Sequence, residues 1–402
     1  MGHDGPGRSA PPRATRRLAD WWQRETAALS ERQGPGIDLA RRIASRPAWV
    51  LLPLAALGPG LFGAAIPDGD AAWFRSAGRS MLGSDVLDVF AAPGLQIGPL
   101  YLLLVGVLTV VTEALGLPVL FTVAAVQSTA LAAYALYLAG SWARELGADP
   151  LRARWGVVAP LVLLGPLAES IGNGHPEELL LGLMLAHLVQ LVRGGRSGAA
   201  GVLLGAMVGL KLWGVLAAPV VLLARRWRVL VVAGAWTVVL AAVCYLPFLA
   251  WGEVNTFEFT WGRRLAPFGV ELQGALLDGW GFRLVQAGLV VALAALVAWW
   301  WPGTGIGVAL TVVTVRIVLD PMLQMYYTLP AVALGLLWAW TAPAATRRCA
   351  VLSVPLVACA AVVPYLLPMT PRLTFTHTAL VALTFAVVRA DARVSRSTLL
   401  QQ

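Results

Sequence analysis

The sequence is poor in charged residues, and this shortage excludes most classes of soluble protein. Only 13% of its 402 residues are Asp, Glu, Lys or Arg, whereas 58% are hydrophobic and the mean hydropathy is +0.73. Such values are typical of proteins that cross a membrane several times. The apolar runs lack the alternation of a transmembrane β-barrel, so helices are the expected spanning elements.

Paired cysteines and nucleotide-binding motifs are also missing. The three cysteines, Cys244, Cys349 and Cys359, have no paired spacing, which excludes a disulfide framework or a cysteine metal site. No Walker loop, dinucleotide fingerprint or Ser/His/Asp set occurs. Chemistry driven by a bound nucleotide is therefore not expected, and an activated substrate would arrive in the membrane.

Lysine is almost absent, since Lys211 is the only one in the chain. The net charge of +9 comes from the tails and short loops rather than from one surface. Anionic lipid headgroups satisfy such scattered charges, so membrane lipids are expected partners and nucleic acid is not.

The hydrophobic runs predict an all-α polytopic membrane protein with about twelve hydrophobic segments. Several are shorter than the ~20 residues of a simple span, which predicts tilted, broken or re-entrant helices and a folded pair at 198–224. The runs lie at about 48–66, 97–115, 119–140, 155–171, 179–193, 229–250, 284–301, 305–319, 326–342, 350–367 and 374–390.

The predicted organisation is a basic cytoplasmic tail at 1–46, a transmembrane domain at 47–392 and a short cytoplasmic tail at 393–402. Residues 18–32 of the first tail are expected to form a helix on the membrane surface. No soluble domain or internal repeat is evident.

Arginine-rich stretches predict the topology, because such loops face the cytoplasm. They lie at 41–46, 144–154, 193–196, 225–228, 347–348 and 389–396. The loops between them should face outward, at 67–96, 172–178, 251–283, 320–324 and 368–373. Segments 97–115 and 119–140 cannot both cross fully under this scheme, and we favour 97–115 as the partial one.

Two carboxylates, Asp68 and Asp70, follow the first hydrophobic segment. The residues after Asp70 fit a short amphipathic helix at the membrane interface, with Trp73 and Phe74 toward lipid. A carboxylate held at that depth can accept a proton from a hydroxyl group. Alternatively, Asp68 or Asp70 caps this helix, and both roles can coexist.

Lys211 lies within an apolar, glycine-containing stretch, and a buried ammonium group needs an anion. It either extends to the interface, or it meets a carboxylate or phosphate at a broken helix.

His175, Glu177 and Glu178 lie in a turn at the predicted start of the helix that contains segment 179–193. The two acids suit the first turn of a helix for electrostatic reasons. No ligand spacing supports a metal site, so none is predicted.

Arg316 and Asp320 lie one helical turn apart, close to Tyr326 and Tyr327. Arg316 and Asp320 form an i,i+4 ion pair. Alternatively, Arg316 and the loop residues Arg263, Arg264 and Arg372 form a cationic pocket for a lipid phosphate, with the tyrosines as its walls. His187 is interpreted as a satisfied core histidine.

The order of these pieces resembles the membrane glycosyltransferases of the GT-C fold. The resemblance covers most of 48–390 and is strongest to the bacterial polyprenyl-phosphate-dependent mannosyl- and arabinofuranosyltransferases, as in glycosyltransferase family 87. It rests on Asp70-x-x-Trp73-Phe74 leading into Gly98-Pro99-Leu100, the turn at 174–177, and Leu210-Lys211 followed by the arginines at 225–228.

The resemblance implies a GT-C-like bundle with interfacial helices in the first outer loop. It implies an inverting transferase of the inner (plasma) membrane that moves mannose or arabinofuranose from a polyprenyl-phosphate donor to an envelope glycan or glycolipid, on the extracytoplasmic face. Asp70 would be the general base, and no cofactor or metal is required. The expected substrate-binding residues are Asp68, His175, Glu177, Glu178, Lys211, Arg263, Arg264, Arg316, Asp320, Tyr326 and Tyr327.

Two departures from that group leave the sugar and the acceptor open. Leu212 stands where relatives often have proline, and the His-Pro-Glu-Glu turn replaces a Gln-x-Asn form. The alternative from another class is a secondary transporter or a lipid or sugar flippase, which the buried lysine and broken helices would also suit.

Overall fold

A computed structural model describes a largely helical chain. The described residues are 35–66, 68–259, 280–320, 324–343, 346–347, 350, 354–358, 366–367 and 369–399, and they include no β-strand. The predicted surface helix at 18–32 and the two arginines Arg263 and Arg264 lie outside the described residues. The chain divides into two compact units, residues 1–50 and 51–402.

The described part of the first unit holds helix α1, Pro35–Ser45, and the start of helix α2, Pro47–Ala64. Asp38 lies in the first turn of α1 and Arg42 in its last turn, which complements the helix dipole. The side chain of Arg46 lies over the ring of Trp49, 4.4 Å from the ring centre.

The second unit contains the remaining helices. They are α3 Asp70–Ser80, α4 Pro99–Ala114, α5 Val119–Glu145, α6 Pro150–Leu163, α7 Pro166–Gly172, α8 Pro176–Arg193, α9 Ser197–Leu210, α10 Trp227–Trp251, α11 Trp280–Trp300, α12 Ile306–Val318, α13 Leu329–Thr341 and α14 Met369–Leu399. Four 3₁₀ helices join them, at Val86–Ala91, Leu212–Ala224, Thr256–Glu258 and Met325–Thr328.

Four helices in the described part of the chain are long and apolar enough to cross a membrane: α2, α5, α10 and α11. Helices α6 and α7, bent by 46° at their junction, would form a fifth span if taken together. The prediction of a helical membrane protein is confirmed. The predicted partial segment at 97–115 forms α4, a 16-residue helix that is shorter than these spans.

The breaks in the helices have local causes in the sequence. Gly165 has a left-handed conformation (φ 100°) and Pro166 follows it, so α6 cannot continue directly into α7. The predicted folded pair at 198–224 forms α9 and the 3₁₀ helix Leu212–Ala224, separated by the extended residue Lys211 (φ −161°, ψ 132°).

Three helices show that the second unit has two chemically different ends. Helix α8 follows the His175 turn and ends at Arg193. Helix α11 carries Arg283 near its start and Trp299 near its end, and α12 follows Thr304 and carries Arg316 near its end. An 18-residue helix such as α8 is about 27 Å long, so the groups at its two ends are well separated.

The first end, which we call the site end, contains Asp70, His175, Arg283 and Arg316, joined by the side-chain contacts described below. The second, the arginine end, contains Arg193 and Arg225, which donate to the carbonyls of Gly303 and Trp299. The arginine-rich stretches 193–196 and 225–228 therefore share one end with Glu145, which pairs with Arg193.

Candidate active site

Helix α3 carries Asp70 as its first residue. Gly69 is the N-cap, with φ 86°, and no side chain caps the helix. The expectation that Asp68 or Asp70 acts as the cap is therefore wrong, and Asp68 is exposed at the preceding bend. The Asp70 side chain is half exposed, so at least part of it is open to a reactant.

The expectation that both aromatic residues of α3 face lipid is wrong for Phe74. Trp73 is partly exposed, but Phe74 is buried and makes edge contacts with the rings of His175 and Tyr101. Phe74 faces the protein because it packs on the side of α3 that also carries Asp70. The aromatic residue thus helps to hold the acid against the His175 turn.

Backbone packing between two glycines sets the position of α3. A Cβ atom on Gly106 of α4 would lie 2.1 Å from the carbonyl oxygen of Gly78 of α3. Only a residue without a side chain permits this approach. At the far end of α3, Arg79 also pairs with Glu113 of α4 on the exposed surface.

The His175 side chain links Asp70 to α8. Its Nε2 lies 2.9 Å from Oδ2 of Asp70, and its Nδ1 lies 2.6 Å from Oε1 of Glu177. The ring is buried and stacks on Tyr326, with 4.1 Å between ring centres. The predicted residues Asp70, His175, Glu177 and Tyr326 are thus brought together from three distant parts of the sequence.

Lys211 lies at the break after α9, where its extended backbone directs the chain away from the helix axis. Its Nζ donates to Oε1 of Glu177 at 2.9 Å and to Oε1 of Glu178 at 2.8 Å. Of the alternatives that the sequence left open for Lys211, the structure shows pairing with carboxylates at a broken helix. The two acids of the first turn of α8 both reach the same ammonium group.

The break in α9 is also tied to the start of α4. The backbone N–H of Gly98 donates to the carbonyl of Leu210, at 2.9 Å, and a Cβ atom on Gly98 would lie 2.1 Å from the carbonyl oxygen of Gly209. The segment that follows the Asp70 loop is therefore in backbone contact with the residue before Lys211.

Arg316 completes the charge network. Its guanidinium donates to both oxygens of Glu178, at 3.2 and 3.3 Å, and lies over the rings of Trp213 and Tyr327. Asp320, the other member of the expected i,i+4 pair, accepts from Arg283 of α11 at 2.9 Å. Planar stacking and bidentate pairing suit arginine better than lysine at this position.

A cavity of about 310 Å³ opens beside the cationic end of this network. Lys211, Arg283 and Arg316 contribute positive charge to its wall, and Tyr327 and Asp320 also line it. Gln96, Gln286 and apolar side chains line the rest, and three of the apolar residues are exposed: Leu212, Val215 and Leu284. The cavity therefore combines cations with an apolar wall that reaches the surface.

Asp70 does not line this cavity, but hydrogen bonds connect the two. The connection runs from Asp70 through His175 and Glu177 to Lys211, which is itself part of the cavity wall. Four predicted site residues, Asp70, His175, Glu177 and Lys211, therefore form one chain of hydrogen bonds.

The charges around Asp70 and His175 favour their ionised forms. The hydrogen bond from His175 is the main cause that lowers the pKa of Asp70 below its ordinary value, and it outweighs the opposing effect of burial. Burial alone would lower the pKa of His175, but the negative charge of Glu177 and the hydrogen bonds to both carboxylates raise it overall.

Sequence reasoning missed several members of the site. Arg283 and Gln286 lie one turn apart at the start of α11, where Gln286 donates to the carbonyl of Arg316 and accepts from Arg283. Their signal was visible, since two polar residues interrupt an otherwise apolar segment. Trp213, whose indole N–H donates to Glu178 at 3.1 Å, carried no comparable signal.

Other candidate residues lie elsewhere or take no part. His187 forms a 2.8 Å hydrogen bond with the hydroxyl of Tyr134. Arg372, a further outer-loop candidate, donates to the carbonyl of Leu367. No group of three metal-ligating side chains occurs among the residues that the structure describes.

A helical membrane protein with a buried ion network beside a cation-lined cavity is the class that the fold and the site define. The family model for Glycosyltransferase family 87 matches residues 98–323, more than half of the chain. The chain therefore belongs to this family, and the predicted membrane glycosyltransferase is confirmed at that level. No curated protein matches the sequence.

The family assignment implies a sugar donor and an acceptor as substrates. The matched range contains His175, Lys211 and Arg316, whereas Asp70 lies before it. The resemblance to mannosyl- and arabinofuranosyltransferases in particular stays a prediction.

Proposed function

We propose that this protein transfers a sugar, mannose or arabinofuranose, from a polyprenyl-phosphate donor to a glycan or glycolipid of the cell envelope, with Asp70 as the general base. The observation that carries the proposal is the cavity lined by Lys211, Arg283 and Arg316. A lipid phosphate requires positive charge beside an apolar wall, and this cavity offers both.

The cavity suits the leaving group of such a reaction. The donor phosphate would lie near Lys211, Arg283 and Arg316, and the first isoprenoid units would lie along Leu212, Val215 and Leu284, which are exposed at its rim. Positive charge there stabilises the lipid phosphate as its bond to the sugar breaks. Because phosphate is already a good leaving group, the proposal includes no nucleotide, cofactor or metal ion.

Asp70 supplies the base. Its half-exposed carboxylate accepts the proton of the acceptor hydroxyl, whose oxygen attacks the anomeric carbon while the lipid phosphate departs. One base and one leaving-group pocket suffice for a single displacement, which inverts the configuration at that carbon. The other predicted substrate-binding residues that the structure describes, Asp68, Glu177, Glu178, Asp320, Tyr326 and Tyr327, would shape or charge the space between base and phosphate.

We also propose that the protein has a GT-C-like bundle of about twelve hydrophobic segments in the inner membrane. The site end would face the extracytoplasmic side and the arginine end the cytoplasm, as expected for arginine-rich loops. A membrane-impermeant maleimide tests this: it should label Asp88→Cys in intact cells and Arg226→Cys only after lysis. The reverse labelling pattern would overturn the proposed topology.

The decisive experiment measures sugar transfer by the purified protein in proteoliposomes. Polyprenyl-phosphate mannose and polyprenyl-phosphate arabinofuranose are the donors, and the matching nucleotide sugars are the controls. Asp70→Asn should reduce turnover about 10²- to 10⁴-fold, the usual contribution of a general base. Asp88→Asn, which removes an exposed acid from the same loop, should retain turnover.

Turnover that survives in Asp70→Asn would remove the assignment of the base. Transfer from the nucleotide sugars but not from the lipid donors would refute the proposed donor class. The anomeric configuration of the product, measured by NMR, tests inversion separately.

A further inference from the structure

His175 makes two hydrogen bonds that a neutral imidazole cannot make to ionised carboxylates. A neutral ring has one N–H and one acceptor nitrogen, while an ionised carboxylate only accepts. Nε2 faces Asp70 at 2.9 Å and Nδ1 faces Glu177 at 2.6 Å. Either the ring carries two protons or one of the two carboxyl groups is protonated.

The surroundings place the second proton on the ring. Oε1 of Glu177, the same oxygen that faces His175, also accepts from the ammonium group of Lys211 at 2.9 Å, which favours its ionised form. Asp70 is half exposed, so water can stabilise its charge. The charged partners of His175 are thus negative on both sides, and Lys211 is the positive group beyond Glu177.

The other elements packed on His175 do not oppose a positive ring. Tyr326 from the 3₁₀ helix Met325–Thr328 stacks on it with 13° between the ring planes, and Phe74 from α3 contacts it edge to face. An aromatic face attracts a cation. Tyr101 of α4 lies beyond Phe74 and hydrogen-bonds to the Gly174 carbonyl at 3.5 Å.

The charges linked to His175 among the described residues also favour a cation here. The linked carboxylates are Asp70, Glu177 and Glu178, and the linked cations are Lys211 and Arg316. Among these five side chains one carboxylate is in excess, and an imidazolium at His175 balances it. Uncompensated charge inside a protein is costly, which supports the same protonation state.

We propose that His175 is a positioning residue that stays doubly protonated during turnover and holds Asp70 as an oriented, ionised base. This inference rests on the proposed function. The acceptor hydroxyl gives its proton to the Asp70 oxygen that His175 does not hold. The new bond joins the acceptor oxygen to the anomeric carbon, and the bond from that carbon to the phosphate oxygen breaks with its electron pair. His175 neither gains nor loses a proton.

The rival arrangement has the roles exchanged, with His175 as the base and Asp70 as its orienting partner. The two arrangements predict opposite pH profiles. With Asp70 as the base, the pKa of the base lies below the ordinary aspartate value of about 3.9. Asp70 then stays ionised at moderately acidic pH, and activity falls only at strongly acidic pH. With His175 as the base, activity falls as pH drops through the pKa of that ring, which is raised above the ordinary imidazole value of about 6.5.

The pH profile of His175→Gln tests the positioning role, because glutamine keeps a hydrogen-bond donor but removes the charge. We expect active enzyme whose acidic limb moves upward by about 1–2 pH units, because an opposite charge next to Asp70 is lost. His187→Gln, which removes a histidine that contacts Tyr134 instead, should leave the profile unchanged. A wild-type acidic limb that coincides with the titration of the His175 ring, with no activity in His175→Gln at any pH, would overturn the proposal.

A spectroscopic measurement keeps this test independent of sugar transfer. The sequence has four histidines, so ¹⁵N-histidine NMR with His175→Gln as the assignment control can follow one ring. At about pH 7.5, roughly one unit above the ordinary imidazole pKa, both His175 nitrogens should show protonated shifts. A neutral ring at that pH refutes the proposal. If the ring is charged but no polyprenyl-phosphate sugar is used, the proposed function fails and the protonation state stands.

Discussion

The two ends of the second unit hold their charges in different ways. At the site end, Glu177 and Glu178 are fully buried, Lys211 and Arg316 are nearly so, and these side chains bind one another. At the arginine end, the side chains of Arg193 and Glu145 are about one third exposed, and Arg193 and Arg225 donate mainly to backbone carbonyls.

The protein has few charged residues, and its two ends use them for different purposes. Exposed arginines at a helix end cost little and can contact water or lipid headgroups. Buried ion pairs seldom stabilise a protein over an apolar core of the same shape, so their presence calls for another reason. The proposed reaction, which needs a base and an anion-binding pocket, would supply that reason.

The largest expected effect comes from removing the central cation of the site end. Lys211→Met leaves two buried carboxylates without their shared partner and should lower the free energy of unfolding by about 3–5 kcal/mol. Arg193→Met at the arginine end should cost less, about 1–2 kcal/mol, because its ion pair and its bonds to two carbonyls are only partly buried. Denaturant unfolding in detergent micelles measures both. Equal losses would remove the distinction between the ends.

A change that leaves every charge in place should also disable the site end. Gly106→Val forces a side chain into the backbone of α3 and should cost about 1–3 kcal/mol. Sugar transfer should fall far more, because a displacement of about 1 Å can cost 10²-fold in rate. Gly234→Val is the matched control in α10, where a Cβ atom would meet nothing within 4 Å. Transfer at the wild-type rate in Gly106→Val would show that the position of α3 is unimportant.

The cavity can be blocked without touching the ion network. Ala287 lines it, whereas Gly288 beside it faces open space. Ala287→Trp should raise KM for the lipid donor roughly tenfold, a loss of about 1.4 kcal/mol in binding, while Gly288→Trp should not change it. Initial rates at varied donor concentration decide this. An unchanged KM in Ala287→Trp would place the donor elsewhere.

The smallest effect is expected for the exposed ion pair between Arg79 of α3 and Glu113 of α4. Arg79→Gln breaks the contact with Glu113, and both side chains are well exposed. The free energy of unfolding should change by less than about 1 kcal/mol, since solvent screens such pairs. Compared with Lys211→Met, this variant tests whether the loss of unfolding free energy depends on how deeply the ion pair is buried. A loss as large as that of Lys211→Met would contradict this dependence on burial.

The residues of the candidate site could be singled out in the sequence because charge is rare in this chain. Asp70, His175, Lys211 and Arg316 stood out against apolar surroundings, and the structure brings all four together. Most of their partners could not be predicted, since apart from His175 with Glu177 the contacts join residues more than 30 positions apart. The sequence predicted a broken helix at Lys211 as one alternative, but it did not reveal that both Glu177 and Glu178 pair with this lysine.

The orientation of α3 shows a similar limit. The pattern around Asp70 correctly predicted a short amphipathic helix, but an apolar residue on such a helix can face lipid or protein. Phe74 faces protein because the contact of Gly78 with Gly106 brings α3 against α4. That contact depends on backbone proximity between helices, and no property of either glycine alone reveals it.

The hydrogen bond from the Gly98 N–H to the Leu210 carbonyl has a consequence for how the site tolerates mutation. An interrupted helix leaves carbonyl groups without their usual partners, and here one of them accepts from the start of α4. Because this link uses only main-chain atoms, replacing Lys211 or Asp70 leaves it in place. This main-chain link beside Lys211 can therefore outlast changes in either side chain, which leaves room for the chemistry of the candidate site to diverge without refolding the protein.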